Sequence, residues 1–307
     1  MLRKLIFQNS DGYVHALMFL AIILAASSFS VGAAITKALP PEILMFLRFL
    51  LASALFAPIV FFKHGIKPPS RRALLNYSIL SIPLVVFFWC MFESLRYTSI
   101  LNTGALYTIV PAITAVFALL INREATGKIR SFGLFLGTIG ALWIVFRGNL
   151  DAFLGLEINY GDFIFLVGCL FLGLYNPLVK RTYEGEPMEV VTFWVLLSGS
   201  VWLLVVSLKG ITNVDWYNIE QSVYLGILYL SLFSTLITFF IINFSTVRIG
   251  ATKVAAYGFL TPVFVIVMSI LFGMEPFEML TIPGLLLILC AMILIQRDDV
   301  NEKVKNT

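Results

Sequence analysis

Two charged side chains stand inside long apolar stretches of this sequence and are the first candidates for chemistry. Arg48 lies in the run Leu47-Arg48-Phe49, and Glu93 lies near the end of a later apolar run. A charged group in a membrane interior costs about 2.5–3.5 kcal/mol on insertion scales, so it normally faces a cavity or a partner. Glu93 could therefore exchange protons or contact a ligand, with Arg48 as its ionic partner. The alternatives are a purely structural ion pair, or local pairing of Glu93 with Arg96, three residues further on.

A second group of candidates consists of aromatic and small polar side chains in the same apolar runs. Trp89 precedes Glu93 by one helical turn and shares its helix face. Asn243 must find a hydrogen-bond partner in a medium without water, so it either binds a ligand or ties helices together. The other members of this group are Tyr107, Tyr175, Asn176, Tyr257, Ser27 and Ser30. A cavity near the three tyrosines and Trp89 would suit small amphipathic or aromatic molecules. Packing is the competing use, for the aromatic residues and for the small serines alike.

The sequence lacks the patterns typical of metal sites and hydrolases. It contains no H-E-x-x-H, no G-x-S-x-G and no phosphate-binding G-x-x-x-x-G-K-[ST] loop. Its two histidines, His15 and His64, are far apart, and its three cysteines lie in apolar runs without metal-ligand spacing. We therefore expect no metal, no cofactor and no enzymatic activity. The net charge of +4 comes from short loops, so nucleic acid is not an expected partner.

The composition indicates an all-α integral membrane protein. Hydrophobic residues make up 60% of the 307 residues and charged residues 12%, against about 25% charged residues in soluble domains. Ten runs are long enough to span a bilayer. These predicted spans are 14–34, 43–62, 73–95, 99–121, 129–147, 161–179, 190–208, 221–245, 252–273 and 279–296.

The positive charges give this map an orientation. Sixteen of the 21 lysines and arginines fall on the side that holds both termini, four fall on the opposite side, and Arg48 lies within a span. Positive residues favour the cytoplasmic side. Both termini are therefore predicted to be cytoplasmic.

A pattern of proline, glutamate and glycine occurs twice, 151 residues apart. Pro111, Glu124 and Gly133 recur as Pro262, Glu275 and Gly284. This predicts two five-helix repeats, residues 1–150 and residues 151–307, the second with a short cytoplasmic tail. Because five is odd, the repeats should be inverted relative to each other, as in many carriers. Pro111, Pro262 and Gly104 are candidate hinges, and static kinks are the alternative.

Several stretches resemble the drug/metabolite transporter superfamily, EamA type. They are Leu47-Arg48-Phe49, the passage from Glu93 through Ser99 to Pro111 and Glu124, Gly161-Asp162, and Pro262 to Glu275. The resemblance covers about residues 14–296. The segment from Ser27 to Gly32 departs from the family, which often has Trp-Gly there.

The resemblance implies a secondary transporter of small metabolites such as amino acids or amphipathic compounds, with export as the expected direction. It also implies the bacterial cytoplasmic (inner) membrane. Alternating access would follow from the inverted repeats. Proton coupling is one option, and a monomer and a dimer are both compatible with the sequence. The competing interpretations are a non-transporting membrane adaptor and an intramembrane enzyme.

Overall fold

The computed structural model describes most of the chain. The described residues are 11–65, 68–98, 100–124, 127–146, 148–149, 151, 154–155, 159–264, 267 and 279–305. Every regular element among them is helical. The α-helices are α1 (Asp11–Ile35), α2 (Pro41–His64), α3 (Arg71–Ser94), α4 (Ile100–Tyr107), α5 (Val110–Asn122), α6 (Lys128–Val145), α7 (Tyr160–Thr182), α8 (Met188–Ile211), α9 (Gln221–Tyr229), α10 (Thr238–Ile249), α11 (Ala251–Ala256) and α12 (Ile282–Lys305). A π-helical segment, Leu230–Ile237, joins α9 to α10.

The residues at the helix starts explain where several helices begin. Pro41 opens α2 in the first turn, where its missing N–H costs no hydrogen bond. Ser70 accepts a hydrogen bond from the amide of Ala73 at 3.1 Å and caps α3. Asn159 and Asp162 form a reciprocal capping box at the start of α7. Apolar runs bounded by such signals therefore give the long helices of this fold.

Nine of the ten predicted spans correspond to helical stretches, among the described residues, that are long and apolar enough to cross a membrane. The prediction at 252–273 lies partly outside the described residues. Its first part is present as α11, a 3₁₀ turn at Tyr257–Leu260 and helix at 261–264.

Both repeated prolines follow a break in their helix. Residues 108 and 109 separate α4 from α5 and bond three residues back, from Thr108 N to Ala105 O and from Ile109 N to Leu106 O, each at 3.2 Å. Pro111 then occupies the first turn of α5. In the second copy, the 3₁₀ turn Tyr257–Leu260 stands directly before Pro262. Gly104 lies inside α4, before the break.

Close glycine contacts show how corresponding helices pack. Gly140 of α6 approaches Gly284 of α12 so closely that a Cβ on residue 140 would lie 2.8 Å from the Gly284 carbonyl oxygen. Gly133 approaches Ala291 in the same way, at 3.3 Å from its carbonyl oxygen. Because residue numbers rise along α6 as they fall along α12, the two helices are antiparallel.

A second pair of helices shows the same arrangement. Gly210 of α8 faces Ile43 of α2, and Gly199 faces Phe49. The helices α2 and α8 therefore also run antiparallel. They are the second span of each predicted repeat.

The two ends of the apolar part of the chain lie together. Arg248, at the end of α10, donates a hydrogen bond to the hydroxyl of Tyr13 near the start of α1. Lys253 donates to the carbonyl of Gln296, at the end of the last apolar stretch, at 3.2 Å. The start of α1 and the apolar end of α12 are thus on one face of the bundle, beside the turn at residue 250.

Candidate functional site

Arg48 lies in the N-terminal half of α2 and has no exposed surface. Its Nε donates to the hydroxyl of Thr235 at 2.5 Å, and its Nη2 donates to the carbonyl of Ser234 at 3.3 Å. Both acceptors belong to the π-helical segment, where hydrogen bonds run to the fifth residue back rather than the fourth and carbonyls are left for other donors. Arg48 belongs to a regular helix in the first half of the chain. Its two hydrogen bonds therefore fix an irregular stretch of helix in the second half.

Aromatic rings surround the guanidinium. Its central carbon lies 4.1 Å from the ring centroid of Phe88 and 5.7 Å from that of Phe92. Phe49 and Phe239 pack edge-on against Phe88, with centroids 5.8 and 5.5 Å away. Cation–π contact stabilises a desolvated guanidinium without supplying a negative partner.

The predicted ion pair between Glu93 and Arg48 is wrong. Glu93 Oε2 lies 3.6 Å from Arg96 Nη1, so the local pairing three residues apart is the one that forms. The Glu93 carboxylate also raises the pKa of the exposed Tyr97 phenol, because a negative neighbour and a hydrogen bond to it disfavour the phenolate. Trp89, one turn earlier in α3, is half-buried. Glu93 is thus part of a small cluster at the end of α3.

Asn243 is fully buried and connects three helices. Its Oδ1 accepts from the hydroxyl of Tyr175 at 2.9 Å, and its Nδ2 donates to the hydroxyl of Thr192 at 3.0 Å. The bonds join α10 to α7 and α8. Two roles were predicted for Asn243, ligand binding and hydrogen bonding between helices. The structure contains the hydrogen bonds between helices. Thr192 was not among the predicted residues, and nothing in its sequence context distinguishes it from other threonines.

Tyr107 lies in the aromatic cluster near Arg48. Its ring packs edge-on against Phe29, with centroids 5.7 Å apart, and tilts against Phe87 at 6.4 Å. Phe87 in turn contacts Phe88 at 5.1 Å. The structure therefore links Tyr107 to the guanidinium through two rings.

Asn176 follows Tyr175 in α7 and is also buried. Among the described residues its Oδ1 has no hydrogen-bond partner. It remains a candidate for binding a polar group.

Tyr257 does not share the aromatic cluster of Tyr107 as predicted. Its hydroxyl is hydrogen-bonded to the ring of His15, and its ring packs edge-on against Phe19 at 5.7 Å. Both partners lie in the N-terminal part of α1, so the Tyr257 side chain is tied to that helix. From the sequence alone, His15 had been weighed as a metal ligand and rejected, and no other role was predicted for it. A histidine at the start of a predicted span carries no signal for a tyrosine 242 residues away.

The two serines of α1 lie in different surroundings. Ser27 is buried, donates to the carbonyl of Leu24 at 2.7 Å and accepts from the hydroxyl of Tyr229 at 2.9 Å. Ser30 is exposed. Their three-residue spacing therefore does not place both in one polar site.

Comparison with known proteins agrees with this helical architecture. The model of the EamA-like transporter family matches residues 13–146 and, a second time, residues 159–297. The chain belongs to the EamA-like transporter family.

Several curated relatives of the chain carry the name transporter. Two are 29% identical to it: uncharacterized transporter YyaM of Bacillus subtilis, over 80% of this chain and 81% of that protein, and an uncharacterized transporter of Archaeoglobus fulgidus, over 81% and 86%. A solved crystal structure of a protein has a TM-score of 0.73 at 15% identity, covering 94% of this chain and 99% of the other. This EamA-type chain is therefore a multi-pass membrane protein of a transporter family.

Proposed function

We propose that this EamA-type chain is a secondary carrier that moves small metabolites by alternating access. Amino acids and amphipathic compounds are the expected cargo, export is the expected direction, and the bacterial cytoplasmic membrane is the expected location. No phosphate-binding loop occurs in the sequence, so the driving force would be an ion gradient, exchange or the gradient of the cargo itself.

The observation that carries this proposal is the contact between the two broken segments. Tyr107 ends α4 at the first break, and Gly258 lies in the 3₁₀ turn before Pro262. A Cβ on residue 258 would lie 3.3 Å from Cε1 of Tyr107 and 3.9 Å from Cγ of Pro111. Broken helices that meet near the centre of a duplicated bundle are where carriers bind cargo and change conformation.

The packing supports two inverted repeats, residues 1–150 and 151–307. A shift of 151 residues exchanges the contact Gly140–Gly284 with the contact Gly133–Ala291. The antiparallel pairs α6 with α12 and α2 with α8 are what repeats of opposite orientation require. Since both apolar ends lie on one face of the bundle, an even number of crossings is needed. We infer that the predicted span 252–273 supplies the tenth crossing, and that both termini are cytoplasmic.

Cargo and coupling are assigned to different parts of the bundle. We propose that Arg48, the aromatic cluster with Tyr107, and the amide of Asn176 contact the cargo. Glu93 is our candidate proton carrier, with Trp89 beside it on α3. Asn243, Tyr175, Ser27 and Tyr257 would hold helices in register around the site, because each is hydrogen-bonded to another helix.

The test is counterflow in proteoliposomes made with the purified full chain. Vesicles loaded with a pooled metabolite extract should exchange at least one internal compound for its labelled external form, above the rate of protein-free vesicles. If no compound is exchanged, the carrier function is refuted and the non-transporting adaptor is favoured.

A further inference from the structure

We propose that Arg48 binds the carboxylate group of the transported molecule, a refinement that rests on the carrier function proposed above. The ligand class is an organic monocarboxylate with an apolar or aromatic body, either an amino acid or a simple carboxylic acid.

The guanidinium of Arg48 is only partly satisfied by the protein. Nε and Nη2 donate to Thr235 and Ser234, but Nη1 is buried and has no hydrogen-bond partner among the described residues. The hydroxyl of Ser234 is likewise buried and without a partner in this part of the chain. These two residues, which contact each other through Nη2 and the Ser234 carbonyl, therefore each keep one buried polar atom without a partner.

No carboxylate of the described residues forms an ion pair with Arg48. Glu93 pairs with Arg96, and Glu42, on the same helix as Arg48, lies near Gly210. Arginine stays protonated at neutral pH, and an enclosed charge without a counter-charge is costly. A bound anion would supply the counter-charge that Arg48 lacks.

The surroundings select a monocarboxylate over a phosphate. A planar guanidinium pairs well with one carboxylate through parallel N–H···O bonds. Polyanions generally need several cations, and the other buried cations, Arg130 and Lys253, belong to the start of α6 and to the short helix α11. The rings of Phe88 and Phe92 against Arg48 provide an apolar wall for the rest of the ligand.

The site would also connect binding to movement. Arg48 belongs to α2 of the first half, whereas Ser234 belongs to the π-helical segment of the second. A carboxylate held by both would bridge the halves across an irregular stretch of helix. Each half could then respond to the presence of the ligand.

The proposal is tested by ligand binding to the purified full chain in lipid nanodiscs, measured by thermal unfolding at increasing ligand concentration. The probes are four carboxylates, each paired with its primary amide: benzoate, 3-phenylpropionate, L-leucine and L-phenylalanine. At least one carboxylate should raise the unfolding midpoint, and its amide should bind about tenfold more weakly or worse, as expected for loss of a charged hydrogen bond. The free-acid and amino-acid pairs distinguish the two sources of the carboxylate.

Variants test whether the carboxylate binds at Arg48. Ser234→Ala should weaken carboxylate binding several-fold, and Arg48→Lys should weaken it more, because a lysine lacks the planar fork. Arg72→Gln is the control, since the Arg72 side chain is 83% exposed and should not matter. If Arg48→Lys does not fold, two measurements still test the proposal. They are the binding of each carboxylate and its amide to the unmodified chain, and the binding of the carboxylates to Ser234→Ala.

Equal binding of every carboxylate and its amide, or unchanged binding in Ser234→Ala and Arg48→Lys, overturns the proposal. A chain that exchanges metabolites in counterflow but shows no carboxylate preference would remain a carrier without this site. Selective carboxylate binding without counterflow would keep the site and reject the carrier.

Discussion

The ring of Tyr107 packs against Gly258, and the two residues hold equivalent positions in the two copies of the 151-residue repeat. In the proposed pair of inverted repeats, a contact between equivalent positions lies on or near the axis that relates the copies. Each residue lies at the break that precedes its proline. The contact therefore joins the two irregular segments directly, and in the proposed carrier movement of one would displace the other.

Gly258→Leu is expected to disturb this contact. A Cβ alone would lie 3.3 Å from Tyr107, so alanine should be accommodated by a small shift, whereas a leucine must push the ring away. Overpacking costs about 1–3 kcal/mol, and we expect counterflow to fall roughly tenfold. Gly12→Leu is the control, because a Cβ on Gly12 has no neighbour within 4 Å. Equal activity of Gly258→Leu and the unmodified chain would show that the contact does not govern exchange.

Pro111→Ala and Pro262→Ala are expected to slow exchange while keeping the fold. Alanine favours a continuous helix by about 3 kcal/mol relative to proline in a helix interior, so each substitution should reduce the tendency to break. Pro58→Ala is the matched control, since α2 runs unbroken through Pro58. Counterflow rates of the three variants, with thermal unfolding as a check on folding, make the comparison. Equal slowing by Pro58→Ala would point to a general effect of removing proline.

Some of this architecture could be predicted from sequence because it depends on local properties. Apolar length predicted nine spans that the described structure contains, and proline positions predicted irregular helix at Pro111 and Pro262. Both signals affect the structure only of residues that are close to them in the sequence.

The partner of Arg48 could not be predicted in the same way. The apolar spans predict that Arg48 and Glu93 both lie within the bilayer, but they leave the rotation of each helix about its axis undetermined. That rotation places Arg48 against Thr235 in the π-helical segment, for which the sequence of 230–237 gives no signal. The bonds of Asn243 to Thr192 and of Tyr257 to His15 depend on tertiary packing for the same reason.

Asn243→Ala is expected to reduce stability more than it reduces cargo affinity. The substitution leaves Tyr175 and Thr192 without their buried partner, and interhelical bonds in membranes average about 0.6 kcal/mol, with a maximum near 1.7. Tyr175→Phe removes one of the two bonds and should cost about half as much. Unfolding in denaturing detergent measures stability, and the KM of counterflow measures affinity. A large rise in KM with unchanged stability would assign Asn243 to cargo binding.

Gly140→Ala is expected to destabilise the bundle. Its Cβ would lie 2.8 Å from the Gly284 carbonyl oxygen and 2.8 Å from Cβ of Leu287, so α6 and α12 must separate. We expect a loss of about 1–3 kcal/mol in the free energy of unfolding. Gly104→Ala is the control for stability, because its Cβ would have only Val145 as a neighbour, at 3.9 Å. Equal stability of the two variants would mean that α6 and α12 can move apart freely.

Glu93→Gln is expected to remove the pH dependence of exchange. The amide is nearly isosteric with the carboxylate but cannot take up a proton, so a coupling step at this residue would be lost. Arg96→Gln is the matched control. It removes the partner at 3.6 Å but keeps the Glu93 carboxylate, so exchange should still respond to pH. Uptake into vesicles with imposed pH gradients measures both variants. If Glu93→Gln responds to the gradient like the unmodified chain, Glu93 serves only the local contacts with Arg96 and Tyr97, and coupling must be sought elsewhere.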